Sequence, residues 1–485
     1  MRIHWPRFLR RTVTLAALLS ASLASTGCLT LMGGEEKLGA EAARQVEAEM
    51  GLVRDPALEA YVRQIGERLV ENASRQDVKW SFKIVDMPEP NAFALPGGWV
   101  YVSRGLLALV NDEAELAGVI GHEIGHVTAG HGNKRVTLSA PFAVLTGITG
   151  WATGIVSPRL GDAVAGAGNT MAEGLVIAPF SRGQEREADR IGAELAAEAG
   201  WEPAALGDFL ATLGRFEALM TGEERQASWL DSHPPSPERA EASREFATGL
   251  ERATANPIAG TPAALFAKLD GLVLGTDASQ GVTVEKRFVH PELGWSLQFP
   301  PEWSVVNAPT MVAAQDPGEQ AALVLQLAAA DKSLDTLLAK IDEDPKAPAI
   351  ERFELNGRSA ARTSLDQRGH TIDVTWIEHG GHVYQIAGIC KQKQHGSWRM
   401  SFRQTAESFR DVQAGEIEKI RERRLRVATA SGSEKLGGLL GRVKSVWEPP
   451  VAAVANGIEN DPPDAAALGE GRLVKFAREE PYTPR

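Results

Sequence analysis

The stretch GHEIGHVTAGH at residues 121–131 decides the fold class and the chemistry of this chain. His122 and His126 are four residues apart, and Glu123 directly follows the first histidine. From residue 111 onward the sequence has the start signal and apolar pattern of a helix, which places both histidines on one helix face. Two imidazoles at that spacing can bind one metal ion, and the adjacent carboxylate can take a proton from an activated water. The motif predicts a catalytic zinc site, although its three residues recur by chance in roughly one chain in a hundred.

A catalytic zinc needs a third protein ligand, and two places in the chain offer one. His131 lies nine residues beyond His122, which at about 100° per residue is the opposite side of a continuing helix, so it is predicted to be structural. Glu185 and Asp189, four apart in SRGQEREADRIGAELA (181–196), could instead supply a ligand and a carboxylate that orients a ligand histidine. A solvated helix with ion pairs to nearby arginines explains the same spacing equally well.

Three motifs in this order, GHEIGH, SRGQEREAD and SHPPSPER, resemble those of the HtpX, Oma and BepA type of gluzincin zinc metallopeptidases. The resemblance covers roughly residues 36–250. It implies a polypeptide-cleaving enzyme with one Zn²⁺ per chain. The ligands that it implies are His122, His126 and Glu185.

The same resemblance implies roles for residues around the zinc. Glu123 is the expected general base, and Asp189 and Arg239 are expected behind the ligands. His233, in SHPPSPER, is expected close to the zinc, where it either occupies the open position and holds the enzyme latent or steadies the oxyanion. The segment NAFALPGGWVYVSRGLL (91–107) resembles a substrate-side edge strand, so the substrate is expected to pair with GGWVYV.

The N-terminal residues 1–27 have the basic start and short apolar run of an export signal. LASTGC, ending at Cys28, resembles the lipobox of bacterial lipoproteins, although Ser25 stands where leucine is usual. Because Leu29 rather than aspartate follows, the resemblance implies a periplasmic protein anchored to the outer membrane by lipid on Cys28. Ordinary secretion is the alternative. The formal charge of −12 argues against a nucleic-acid partner.

The length of 485 residues predicts a multidomain chain. We expect a mainly α zincin-type (α+β) metalloprotease domain with a small edge-strand sheet, then an α+β antiparallel-sheet domain, then a small α+β segment. The predicted boundaries are signal peptide 1–27, metallopeptidase 28–255, linker 256–283, accessory domain 284–424 and LysM-like segment with tail 425–485.

Two further stretches leave alternatives open. Residues 136–158 carry no charged side chain and are either a membrane span or a buried or membrane-facing helical hairpin. Residues 425–476 faintly resemble a LysM-type glycan-binding module, which would bring a peptidoglycan contact.

Together these observations predict an exported zinc endopeptidase that acts on misfolded envelope proteins. The alternative is a non-proteolytic envelope scaffold or chaperone with a latent zinc site.

Overall fold

The computed structural model describes most of the chain, and only the backbone of residues 31–34. The predicted signal peptide 1–27, Cys28 and the uncharged stretch 136–158 lie outside the described residues. No helix within the described part of the chain is both long and apolar enough to cross a membrane. The described ranges are 31–131, 180–219, 233, 237–328, 333–343, 347–367, 369–459 and 462–484.

The first unit is mostly helical and surrounds one central helix. Its helices are α1 (Leu31–Met50), α2 (Pro56–Val70), α3 (Arg104–Leu109), α4 (Glu113–Thr128), α5 (Arg182–Glu198), α6 (Ala205–Leu219) and α7 (Pro237–Ala247). The central helix is α4, whose N-terminus is capped because the Asp112 carboxylate accepts a hydrogen bond from the Glu115 amide. Nearly all side chains of α4 are buried, and most of its apolar residues belong to the largest core cluster.

A three-stranded sheet lies beside α4. Its strands are β1 (Ser81–Val85), β2 (Ala92–Leu95) and β3 (Trp99–Ser103), in the order β1-β3-β2. The middle strand β3 is parallel to β1 and antiparallel to β2. The prediction that GGWVYV is the edge is therefore wrong, because WVYV is paired on both sides and the outer strands are β1 and β2. The sequence indicated a strand at WVYV, but only the pairing of β1 with β3 shows that this strand is not at the edge of its sheet.

The second unit is built on antiparallel sheets, which confirms in outline the predicted multidomain chain of helices followed by sheets. Helix α9 (Leu334–Asp342) packs on one face of a seven-stranded sheet and α10 (His395–Glu407) on the other. The strands are β5 (Val282–Val284), β6 (Arg287–His290), β7 (Trp295–Leu297), β8 (Ser304–Ala308), β9 (Met311–Gln315), β10 (Ala321–Leu327), β11 (Glu351–Leu355), β12 (Arg358–Gln367), β13 (His370–His379), β14 (His382–Lys391) and β15 (Arg410–Asp411). The larger sheet has the order β11-β12-β13-β14-β10-β9-β8, and a smaller sheet has the order β15-β7-β6-β5.

The C-terminal unit is a β-α-α-β arrangement. Its elements are β16 (Arg421–Thr429), α12 (Leu436–Arg442), α13 (Pro449–Ala455) and β17 (Leu473–Pro481). Strand β4 (Val273–Leu274) pairs with β16, and β4 and the preceding helix α8 (Pro262–Leu269) both come from the stretch predicted as a linker.

Helix α10 ends at Glu407, and a short helix α11 (Ala414–Ile417) and then β16 follow. The charged residues of β16 lie in a ladder with β17, and Glu422 among them is buried. The predicted boundary at 424/425 falls inside β16.

Candidate metal centre

Helix α4 presents His122 and His126 side by side. Their Nε2 atoms lie 3.0 Å apart, as residues one turn apart on a helix allow. The two histidines are 0% and 3% exposed. Both imidazoles therefore turn the same nitrogen toward one buried point.

Glycines allow helix α5 to approach α4 closely enough to complete the cluster. A Cβ on Gly125 would lie 2.8 Å from the Ala188 carbonyl oxygen, and one on Gly192 would lie 2.6 Å from the His122 amide nitrogen. This backbone contact brings Glu185 of α5 to the histidines, with Oε1 3.2 Å from His126 Nε2. The glycines of GHEIGH therefore have a packing role.

His233 adds a fourth donor atom. Its Nδ1 lies 3.2 Å from His122 Nε2 and 3.0 Å from Glu185 Oε1. One donor atom from each of the four residues, His126 included, lies within 4.8 Å of the others. Tetrahedral zinc ligands at about 2.0–2.2 Å are about 3.3–3.6 Å from one another, so this donor set fits a zinc ion.

Two residues behind the donors hold them in place. Asp189 Oδ1 lies 2.8 Å from Nδ1 of His122, so in the neutral ring the proton is on Nδ1 and Nε2 can bind a metal. Arg239 donates to both carboxylate oxygens of Asp189, from Nε and Nη2, at 2.7 Å each. Its Nη1 lies 2.6 Å from Oε2 of Glu185.

This network holds both carboxylates in the ionised form. Burial alone would raise the pKa of Glu185, but the nearby His233 and a hydrogen bond with His126 lower it below its ordinary value. Burial likewise opposes ionisation of Asp189, yet hydrogen bonds from Arg239 and from its histidine partner lower its pKa to about 2. Ionised carboxylates are the form that binds and orients metal ligands.

The two α4 histidines have opposite pKa shifts. Burial, and then the neighbouring His122, lower the pKa of His126 well below its ordinary value. Burial also opposes the charged form of His122, but the Asp189 carboxylate outweighs burial and raises its pKa. A bound divalent cation would favour the neutral form of both rings.

Glu123 is buried at the same centre, with 1% of its surface exposed. Its Oε1 lies 3.6 Å from Nε2 of His233. The structure therefore brings together all seven predicted site residues that it describes. The eighth, Cys28, lies outside the described part of the chain.

His131 does not lie where the sequence predicted it. Helix α4 ends at Thr128, and Gly130 adopts a positive φ of 69°. The His131 amide then donates to the His126 carbonyl at 2.9 Å, which is the closing hydrogen bond of a Schellman turn. The turn folds His131 back over the helix, and its Nδ1 lies 3.0 Å from Nδ1 of His126. Gly130 was the signal in the sequence for this turn, since glycine favours its left-handed position.

Sequence analysis also missed Phe180. Its ring stacks on that of His126 with centroids 3.9 Å apart. The residue directly precedes the Ser181 cap of α5, and nothing in the local sequence distinguishes it from an ordinary apolar residue before a helix. Phe180 therefore covers one side of the donor cluster.

The model of peptidase family M48 matches residues 56–247. The matched range runs from α2 to the end of α7 and contains the whole donor cluster. The chain contains an M48 peptidase domain. The family resemblance predicted from the three motifs is thereby confirmed.

Curated relatives of the M48 domain are proteases. The beta-barrel assembly-enhancing protease of Yersinia pestis is 32% identical over 251 residues, which are 50% of this chain and 50% of that protein. Its namesake from Escherichia coli K12 is 32% identical over 39% of each chain. Bovine metalloendopeptidase OMA1 (Bos taurus) is 34% identical over 38% of this chain and 36% of its own. These relatives confirm the predicted metalloendopeptidase class of the M48 domain.

The chain spans half the length of these relatives or less. One solved structure, that of cyanobacterial PsbP (CyanoP) from Synechocystis sp. PCC 6803, covers 29% of this chain and 99% of its own. Its TM-score of 0.21 and 13% identity support no conclusion.

Proposed function

We propose that the whole chain is a zinc-dependent endopeptidase. The observation that carries the proposal is the convergence of four buried donor atoms next to the carboxylate of Glu123. His122, His126 and Glu185 would hold the ion, one per chain. Two histidines and one glutamate suit zinc, and three protein ligands leave a position open for chemistry.

The catalytic steps of the chain's own residues follow from their positions. A zinc ion held there supplies a Lewis acid for the scissile carbonyl and lowers the pKa of a water molecule. Glu123 takes the proton of the attacking water and returns it to the leaving amine. Asp189 and Arg239 keep His122 and Glu185 oriented throughout, because their hydrogen bonds fix one ring tautomer and one carboxylate position.

We propose that His233 holds the enzyme latent. Its Nδ1 lies within 3.2 Å of two ligand atoms and so fills the place that an open site would leave to water or substrate. The alternative, stabilisation of an oxyanion, needs the ring to stand back from the ligands. Movement of His233 out of the cluster would then be the activating step.

We also propose that the extended substrate pairs with β2. This strand is one of the two outer strands of its sheet, and it packs against α4. An outer strand presents backbone donors and acceptors that an extended peptide can use. Replacement of Ala94 by proline removes one backbone donor and should raise KM with little change in zinc content; an unchanged KM would contradict this placement.

For the whole protein, we propose a site of action in the bacterial envelope, on misfolded envelope proteins. Support comes from the lipobox-like LASTGC ending at Cys28 and from relatives named as beta-barrel assembly-enhancing proteases. The LysM-like pattern of 425–476 suggests a peptidoglycan contact.

Two experiments test this location. Cys28→Ser should move the protein from the outer-membrane fraction to the soluble periplasm. The full chain should be retained on cell-wall sacculi above a control protein. Failure of either result removes that part of the proposal.

The decisive experiment measures zinc content and casein cleavage for three purified proteins. We expect Glu123→Gln to retain zinc and to lose proteolysis, because only the proton acceptor is removed. We expect His233→Ala to retain zinc and to cleave faster than wild type. Cleavage by zinc-loaded Glu123→Gln would remove Glu123 from its role.

The same experiment tests the alternatives. Slower cleavage by His233→Ala would favour the oxyanion role. Zinc binding without cleavage in both wild type and His233→Ala would favour the scaffold or chaperone.

A further inference from the structure

Nδ1 of His126 faces away from the donor cluster and has an unexpected partner. Nδ1 of His131 lies 3.0 Å from it. Two neutral imidazole nitrogens at this distance form a hydrogen bond only when one of them carries a proton and the other does not. The pair therefore fixes which nitrogen of each ring is protonated.

The assignment of protons follows from the proposed metal site. A ligand nitrogen must be unprotonated, so Nε2 of His126 has no proton and Nδ1 donates. Nδ1 of His131 then accepts, which places the proton of that ring on Nε2. Nε2 of His131 lies 3.2 Å from Oε2 of Glu187, a carboxylate that accepts it. Each donor in this chain of three residues meets one acceptor.

The contact between the rings of His126 and His131 is shielded from water. His131 is 6% exposed and His126 is 3% exposed, whereas the side chain of Glu187 is 60% exposed. Water therefore has little access to the nitrogen-to-nitrogen contact and can replace it poorly. The other ligand histidine, His122, has its Nδ1 held directly by Asp189, so both rings have a fixed partner.

We propose that His131 is a positioning residue for the metal ligand His126, through a hydrogen-bond relay that ends at Glu187. The proposal rests on the proposed zinc site. Loss of a hydrogen-bond partner behind a ligand histidine typically costs 10–100-fold in metal affinity. His131 is not one of the four donor residues, and in this proposal it acts only through the orientation and tautomer of the neighbouring ring.

Three substitutions at this position separate positioning from packing. The side-chain amide of asparagine places an oxygen where Nδ1 stands, whereas that of glutamine reaches the place of Nε2. We expect His131→Leu and His131→Gln to lower zinc affinity about 10–100-fold. We expect His131→Asn to restore most of the loss, because its oxygen accepts the proton of His126.

The measurements are zinc affinity by chelator competition, the absorption spectrum of the Co²⁺-substituted protein, and thermal unfolding of the metal-free protein. We expect His131→Asn to keep the wild-type cobalt spectrum and His131→Gln to change it. Equal losses for Asn and Gln, through unfolding or otherwise, would overturn the proposal, and so would wild-type affinity in His131→Leu. If wild type itself binds no zinc, the proposed function fails instead.

Discussion

Arg239 is a fixed positive charge buried beside the two carboxylates of the centre. It reaches Asp189 through two nitrogens at 2.7 Å and Glu185 through a third at 2.6 Å. Burial would lower the pKa of its guanidinium, but the two carboxylates raise it. A buried charge without its partner is strongly unfavourable, so Arg239 stabilises the metal-free fold as well as the ligand geometry.

We expect Arg239→Met to lower the free energy of unfolding of metal-free protein by about 3–5 kcal/mol, because both carboxylates lose their buried partner. Saturating zinc should recover part of the loss, since the ion supplies positive charge to Glu185 and binds only the folded state. Arg244→Met on the same helix is the control, because Arg244 pairs with an exposed Asp208 and such pairs contribute about 0–1 kcal/mol. Denaturant unfolding of the two variants, with and without zinc, measures these free energies. Equal losses of stability in Arg239→Met and Arg244→Met would contradict the role of Arg239.

At the level of elements, the contact between α4 and α5 determines whether a metal site exists. His122 and His126 come from one helix and Glu185 from the other. Gly125 faces the Ala188 backbone so closely that a methyl group would contact its oxygen at 2.8 Å and its Cα at 3.0 Å. Ordinary side chains there would separate the helices and draw the glutamate away from the histidines.

We therefore expect Gly125→Ala to destabilise the protein by about 1–3 kcal/mol, the usual range for overpacking a tight contact. Zinc affinity should fall with it, because Glu185 moves with α5. Gly183→Ala is the matched control: the new Cβ has only the Ser181 hydroxyl near it, at 3.9 Å, and alanine favours the helix by about 0.5–1 kcal/mol. Thermal unfolding and chelator competition on both variants test this, and similar behaviour of the two would count against close packing as the cause.

For the molecule as a whole, the C-terminal unit is joined to the M48 domain through Lys475. Its buried Nζ donates to the carbonyl oxygens of Ala108 at 3.0 Å and Val110 at 2.6 Å, where helix α3 ends. Leu425 and Ala455 of the same unit belong to the core cluster that contains the apolar residues of α4.

Burial lowers the pKa of Lys475 to about 7, from an ordinary 10.5. Between those values the unfolded chain binds the additional proton, so stability increases as pH rises. Glu115 makes stability decrease as pH rises, but only below its raised pKa of about 8. From roughly pH 8 to 10 we therefore expect the free energy of unfolding of wild type to rise by about 1 kcal/mol per pH unit relative to Lys475→Met.

The control for that experiment is Lys268→Met, because Lys268 is exposed on helix α8. Its stability curve should follow wild type across the same pH range. Denaturant unfolding at several pH values provides the comparison. Parallel curves for wild type and Lys475→Met would show that Lys475 is not buried against α3 in solution.

The sequence by itself determined that His122, Glu123 and His126 lie together on one helix. Both the helix and the grouping of these residues depend on spacing within one element. It also indicated the family, through three motifs in order, and an antiparallel second unit. Glu185 remained undecided from spacing, since a ligand and a solvated ion pair have the same local pattern.

Tertiary structure decided the features that depend on contacts between helices, strands and turns. Contact between glycine-lined helices brought Glu185 to the histidines, and pairing with β1 moved WVYV to the middle of its sheet. The left-handed Gly130 reversed the chain and carried His131 from its predicted side of the helix to His126. A helical period places a residue only while the helix continues, and beyond its end the backbone turn and the packing of neighbours fix the position.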